Sequence, residues 1–356
     1  MQRALTLSRR RFGALGALTA LSAFAVDGCT ADKSRRSTTS LDAVTYLTAF
    51  GANGREAHAW VADAKGLFAE QGLKVTIALG AAGDVNNQLL AADKAQFAAV
   101  DASGAFVRYA TGLAGTDTEV NTGFQIVAAL QQSTLLSIMA LQRSGIRNPG
   151  DLPGRTIVGA SGAAPQKLFP AYAKLAHIDE TRVTWKTVQL NQLVPLVVSG
   201  KADAAAQYAL GEPSLRKAAH GAETVVLPYK RYMPELLGTV LTTQKKLIAQ
   251  KPDLVRRFTG ALLNGLNYSI EHPAEAAAIL VAAQPSQDRE VAAQEVALMK
   301  PYVVPQNAGA VIGTINPQQV TGSISLLQSV SLIKPGMTAG DIVNDGFLGL
   351  APKRVA

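Results

Sequence analysis

From residue 43 the apolar and polar positions alternate in blocks that change period. "AVTYLTAF" is rich in β-branched and aromatic residues, "GANG" is a turn signal, "REAHAWVADAKGLF" has helical spacing, and "LKVTIAL" returns to the strand pattern. The same succession recurs in "RTIVGAS", the loop "GAAPQ", the helical "KLFPAYAKLA" and then "RVTWKTV". Strands alternating with helices in this way predict an α/β fold built on a mainly parallel sheet.

A closer echo lies between "LLAADKAQFAAVDASGAF" and "VVSGKADAAAQYALGEPSL". In each, a helix closes on a small polar turn, and a run of small apolar residues suited to a buried strand follows. Polar groups end the strand: Asp101 and Ser103 in the first copy, Gln207, Tyr208 and Glu212 in the second. Asp84 and Asn191 occupy matching places, each where a helix N-cap would follow a strand. Two similar α/β units are therefore expected, residues 41–137 with 240–356 forming one lobe and 138–239 the other. Ligands of open α/β sheets gather at the carboxyl ends of strands, so two facing units pool their loops into one cleft. "GTVLTTQ" reads as a strand returning to the first lobe. The helical runs that follow, from "PDLVRRFTGALLNGLNYSI" to "NPQQVTGSISLLQSVSLI", are expected to shell that lobe, and "DIVNDGFL" to form a last turn or short helix. Hinges are expected near Leu136 to Leu141 and Leu237 to Leu241.

The opening "SRRRFGALGALTALSAFAVDGC" has an apolar run of about fifteen residues, short of the roughly twenty a spanning helix needs. Arg9 and Arg10 head a stretch resembling the twin-arginine export pattern, and Gly28-Cys29 resembles a lipoprotein cleavage site, with Asp27 where a small uncharged residue is usual. Residues 1–28 are read as an export signal. Cys29 is the one cysteine of the chain, so it can form no internal disulfide, and thioether lipidation accounts for it. Residues 29–40, "CTADKSRRSTTS", are polar and without apolar periodicity, as a flexible tether would be. The expected location is the outer face of the cell membrane, through a lipid anchor only.

Composition removes other classes. Hydrophobic residues make up 48% of the chain and charged ones 17%, enough for a large core and unlike a disordered protein. Four arginines and one aspartate precede Cys29, so the net charge of +8 falls to +5 once the signal is set aside. No basic patch with interleaved aromatics appears, which argues against nucleic acid. His58, His177, His220 and His272 are scattered singly and no thiolate cluster exists, so neither metal nor cofactor is expected. "VGASGAA" lacks the Lys-Ser/Thr of a phosphate loop, and no G-x-S-x-G or H-E-x-x-H occurs, so no enzyme template is met.

The stretches "AWVADAKGLFAEQGLKVTI", "QFAAVDASG", "SGIRNPGDLPGRTIVGASGAA", "LVPLVVSGKADAAAQYALGEPSL" and "PDLVRRFTGALLNGLNYSIEHPAEAA" together resemble the substrate-binding proteins of ABC importers. The branch is the one that takes up thiamine pyrimidine precursors, aliphatic sulfonates, taurine and nitrate. The resemblance implies a two-lobed periplasmic-binding-protein-like clamp, one small-molecule ligand in its cleft, delivery to an ABC permease and ATPase, and a monomer. From the pyrimidine binders it implies ligand roles for Asn53, His58 and Glu212. A carboxylate accepts from the amino and ring N–H groups of an aminopyrimidine, and Tyr208 or Phe50 would cover the ring. Asp84, Asp101, Ser103, Gln131, Ser133 and Gln207 complete the polar candidates. For an anion, Ser161 at the "GASGAAPQ" helix start and Arg55 would serve instead. The same resemblance extends to pyrimidine-forming enzymes, whose cysteine-rich motif this chain lacks, and a ligand-sensing lipoprotein is a third alternative.

Overall fold

The computed structural model describes residues 41–81, 83–115, 117–306 and 309–348. The expected export signal, Cys29 and the tether lie outside the described residues, as does the side chain of Asp84. Among the described residues no helix is long and apolar enough to cross a membrane.

Among the described residues ten strands form two sheets of five. In chain order they are β1 (Asp42–Leu47), β2 (Leu73–Ala78), β3 (Phe97–Asp101), β4 (Phe124–Ala129), β5 (Leu136–Leu141), β6 (Thr156–Ala160), β7 (Thr184–Val188), β8 (Ala204–Tyr208), β9 (Thr224–Pro228) and β10 (Thr239–Gln244). The first sheet has the order β2-β1-β3-β10-β4 and the second β7-β6-β8-β5-β9. The two orders are the same with the reversed strand in the same place, and the echoed sequences fall on the equivalent strands β3 and β8.

Each sheet is mixed and, as expected, mainly parallel: four of its strands run one way and one is reversed. β10 runs antiparallel to β3 and β4, and β5 antiparallel to β8 and β9. The reason is the crossing itself. β4 ends at the cleft, so the chain enters the second sheet at its cleft edge and β5 must run away from it. β9 and β10 repeat this in return. A sequence pattern reports burial but not strand direction.

The reversed strands are wholly buried. β5 achieves this with "LSIMAL", β10 with three threonines. Thr242 Oγ1 donates to the Ala98 carbonyl at 3.0 Å and Thr243 Oγ1 to that of Gln96 at 2.7 Å, so the hydroxyls are satisfied inside the core.

The first sheet's core centres on Phe258 of the Pro252–Glu271 helix, stacked on Phe97 at 3.9 Å and on Phe68 at 5.5 Å between ring centres. That helix lies close against Ala57–Ala64. At Gly265 an added Cβ would run into the His58 carbonyl oxygen and stand 2.8 Å from Ala62 Cβ, so only glycine permits the approach. The single helix expected over residues 55–68 is broken: Ala57–Ala64 ends at Lys65, and Gly66, at φ 73°, turns the chain into Leu67–Glu70. The run "SQDREVAAQEVALMKPYV" likewise divides into Arg289–Ala297 and Lys300–Val303. Asn191 does not cap its helix. It sits in the turn Leu190–Gln192, where Gln189 makes the capping box and Leu193–Val198 follows.

The chain passes between the sheets at residues 130–135 and 229–238, not within Leu136–Leu141, which is β5 itself. The two crossings are tied together. The amides of Leu130 and Gln131 both donate to the Thr239 carbonyl at 2.9 and 3.0 Å, and Thr134 N–H donates to that of Leu236 at 2.9 Å. Gln131 Oε1 accepts from Thr239 N–H at 3.1 Å. The closing helices do more than shell the first sheet. Ser323, in Pro317–Ser329, donates to the Glu235 carbonyl at 2.6 Å and accepts from Leu237 N–H at 3.3 Å, fastening that helix to the second crossing.

Candidate ligand-binding cleft

Between the carboxyl ends of the two sets of strands lies a cavity of about 320 Å³. This is near the lower end of the ~300–1,000 Å³ usual for small-molecule sites. Its first wall is the loop after β1. Thr48 Oγ1 donates to the Gly51 carbonyl at 2.7 Å and accepts from Gly80 N–H at 3.0 Å. Asn86 Nδ2 donates to the carbonyls of Thr48 and Ala99 at 2.9 and 3.0 Å. Held so, the loop presents Phe50, Asn53 and Arg55 to the cavity.

Asp101 closes the floor. It ends β3 and caps the Ala102–Leu113 helix, its Oδ1 accepting from the amides of Ser103 at 3.0 Å and Gly104 at 3.3 Å. The other oxygen, Oδ2, is buried, and the Ser103 side chain lies beside the carboxylate. Burial lifts the Asp101 carboxyl from 3.8 to about 6, and the two amides, Arg55 and the Ser103 side chain only partly offset this.

The second wall comes from the other sheet. β8 ends in Gln207 and Tyr208, and Leu190, Leu193, Val194 and Leu210 supply apolar surface. The Arg55 guanidinium lies 4.3 Å from the centre of the Tyr208 ring, so the walls meet there. Arg55 also pairs with Glu56 at 3.1 Å, both nearly fully buried.

Glu295 completes the enclosure from the Arg289–Ala297 helix. It accepts from Gly54 N–H at 2.7 Å on one wall and from Ser214 Oγ at 3.1 Å on the other. Burial raises its carboxyl above the usual range. The same helix reaches the second wall again through Arg216 to Gln294 at 2.7 Å and Lys217 to Asp288 at 2.5 Å. Three buried carboxylates, Glu56, Asp101 and Glu295, therefore surround one guanidinium. Of the lining groups themselves, Asp101 and Glu295 are matched by Arg55 and Lys167.

Of the residues singled out from sequence, Phe50, Asn53, Arg55, Asp101, Gln207 and Tyr208 line the cavity together. The others stand apart. His58 is buried one helical turn behind the wall, its Nδ1 3.1 Å from the Arg55 carbonyl and its Nε2 3.5 Å from the Tyr46 hydroxyl, and burial lowers its pKa. Glu212 accepts from Thr224 Oγ1 at 2.6 Å and pairs with Arg216 at 3.5 Å, away from the cavity. Gln131 serves the crossing. Ser161 is exposed between lining residues Ala160 and Gly162. Ser103 is buried beside Asp101 and faces an adjoining cavity. Glu295, Ser214 and Lys167 line the site without having been singled out. The readable signal for Glu295 is its place on the stripe Ala292, Val296 and Met299, where an acid interrupts an otherwise buried face.

Comparison with known proteins agrees with this architecture. The riboflavin-binding protein RibY of Chloroflexus aurantiacus is 27% identical over 219 residues, 61% of this chain. The match spans 59% of that relative's length. Among solved structures, the periplasmic nitrate-binding protein NrtA of Synechocystis PCC 6803 matches with a TM-score of 0.68 at 11% identity, over 85% of this chain and 86% of that one. The alkanesulfonate-binding protein SsuA of Xanthomonas axonopodis pv. citri, bound to MOPS, matches with 0.65 at 13% identity, over 86% and 99%. These structures share the fold of two mixed sheets flanked by helices. Residues 53–276 match the model of the family described as NMT1/THI5 like, and the chain belongs to that family.

Proposed function

We propose that the protein is the solute-binding component of an ABC importer, exported and held at the outer face of the membrane by a lipid on Cys29. Its ligand is a planar nitrogen heteroaromatic with N–H donors, best represented by a hydroxymethyl- or formylamino-pyrimidine. The observation that carries this reading is Asp101, a buried carboxylate at the end of β3 in the lining of a largely apolar cavity. An amino or ring N–H group would donate to that carboxylate, and Tyr208 or Phe50 would supply the aromatic face. Asn53 and Gln207 would contact the ring edge. The riboflavin named for the curated relative is of the same chemical class. A sulfonate or nitrate would meet Asp101 and Glu295, which oppose an anion.

Capture works by closure. Arg55 and Glu295 contact both walls, and a ligand bridging the same walls favours the shut arrangement because it has more partners there. The ligand would then be presented to the permease by the closed protein.

The test is a thermal-shift and calorimetric screen of the purified protein against hydroxymethyl- and formylamino-pyrimidine, riboflavin, alkanesulfonates, taurine and nitrate. A ligand that binds the folded state raises the midpoint by mass action. A shift confined to the heterocycles, and lost in Asp101→Asn, is expected. A shift with sulfonate or nitrate alone would overturn the reading.

A further inference from the structure

Outside the cleft the two walls meet again along a pair of short helices. Glu212–Ala218 packs beside β9 on the second sheet, and Arg289–Ala297 packs on the helices that cover the first. Their contacts fall in opposite order along the chain: Ser214 with Glu295, Arg216 with Gln294, Lys217 with Asp288. The helices therefore meet head to tail. Ser214 and Lys217, three residues apart, share one face, and Asp288 and Glu295, seven apart, share the face opposite.

The contact is graded from buried to exposed. At its inner end Glu295 is 6% exposed and lines the cavity. At its outer end Lys217 and Asp288 keep 49% and 45% of their side-chain surface. Glu290 Oε2 stands 3.9 Å from the same Lys217 ammonium, so one cation faces two carboxylates. Asp288 is held in place by a second task, capping its helix through Val291 N–H at 3.0 Å. Arg216 is steadied on its own helix by Glu212 at 3.5 Å. Arg216, Lys217, Asp288 and Glu290 all lie outside the cavity lining.

We infer that the outer end is an electrostatic clasp: Lys217 against Asp288 and Glu290 biases the two walls toward the shut arrangement without touching the ligand, and the ionic strength of the surrounding solution sets that bias. Exposed charges are screened as salt rises, the Debye length shrinking from ~30 Å at about 10 mM to ~3 Å at about 1 M, whereas buried groups such as Glu295 are screened much less. An exposed ion pair shifts an equilibrium by about two- to fivefold. A ligand that binds the shut arrangement loses apparent affinity as the shut population falls. An uncharged ligand thereby acquires a salt dependence that its own chemistry does not give it. The inference holds whichever ligand the cleft takes.

The experiment reads the shut and open populations of the ligand-free chain as distances between two nitroxide labels, by electron–electron double resonance. The labels are carried by Lys74→Cys and Lys201→Cys in a chain with Cys29→Ser. Lys74 and Lys201 are exposed, at the amino ends of β2 and β8, away from the cleft. The shut-to-open ratio should fall about two- to fivefold between about 10 mM and about 1 M sodium chloride. Lys217→Gln at low salt should match the parent at high salt and respond to salt no further, and Lys217→Arg should keep the parent's response. Lys246→Gln removes an exposed pair with Asp93 that lies within the first wall's own side, and should leave the response unchanged. A ratio unmoved by salt in the parent, or a response that survives Lys217→Gln, would overturn the clasp. A response lost equally in Lys246→Gln would overturn it too, by making the effect one of overall charge. The heteroaromatic reading stands or falls separately, on the ligand screen.

Discussion

The Arg55 guanidinium stands 4.3 Å above the Tyr208 ring, joining the loop after β1 to the end of β8. A cation over a phenol ring contributes ~0.5–2 kcal/mol, more when desolvated. The contact is made only when the two walls are together, so it reports closure directly. Arg55→Ala should weaken ligand binding about three- to thirtyfold, the range that energy implies. It should also enlarge the radius of gyration of the ligand-saturated protein in solution scattering. Unchanged scattering and unchanged affinity would exclude Arg55 from the closing contact.

Glu295 should act as a latch. It bonds Gly54 N–H and Ser214 Oγ on opposite walls, and hydrogen bonds to a charged group contribute about 1.5–3 kcal/mol each. Glu295→Ala is expected to lower ligand affinity by at least tenfold and to raise amide hydrogen exchange at Gly54. Equal exchange in the two proteins would remove it from this role.

Asp101 should confer a pH dependence with a defined sign. Its folded-state pKa, about 6, lies above the ordinary 3.8, so the folded protein holds a proton that the unfolded chain has released. The stabilisation is fully present below about 4 and is lost as pH rises to about 6. Arg55 and Tyr208 are the charged and titratable groups that interact with it. The Asp101→Asn variant should therefore lose this part of the slope of melting midpoint against pH, and melt higher than the parent at pH 7.5 without ligand. In the parent, affinity for an aminopyrimidine should increase through pH 6 as the acceptor ionises. An identical slope in parent and variant would contradict the assignment.

Gly54 should tolerate no side chain. An added Cβ would run into the Ala292 carbonyl oxygen and lie 2.6 Å from Glu295 Cβ. Gly54→Ala is expected to destabilise the protein by about 1–3 kcal/mol through overpacking, measured by urea unfolding, and to weaken ligand binding because the Arg289–Ala297 helix is displaced. A neutral substitution would show that this helix is not seated where it lies.

The alternation of strand and helix was legible because burial imposes period two on one and 3.6 on the other. The equivalence of β3 and β8 was legible from two echoed runs of small residues. Strand direction was not, since "GTVLTTQ" and "LSIMAL" read alike whichever way they run. In the cleft, Asp101, Gln207 and Tyr208 were legible because they end strands. His58 and Glu212 carry the right chemistry, yet neighbours already occupy them, Tyr46 and Arg55 in one case, Thr224 and Arg216 in the other. Such local pairing has no signature in spacing. Glu295 lies 241 positions from Gly54, and no local pattern brings those two together.

The place of β10 between β3 and β4 also orders the birth of the molecule. The second sheet is encoded continuously from Leu136 to Pro228, so every strand it needs has emerged before β10 is made. The first sheet is the reverse: β1, β2 and β3 pair early, but β4 can join them only across a gap that Thr239–Gln244 must fill. Until then β3 and β4 present unpaired edges, the kind that invite pairing with other chains. The segment translated last in either sheet is thus the keystone of the lobe translated first, and a chain truncated before residue 244 should be aggregation-prone although its second lobe is whole.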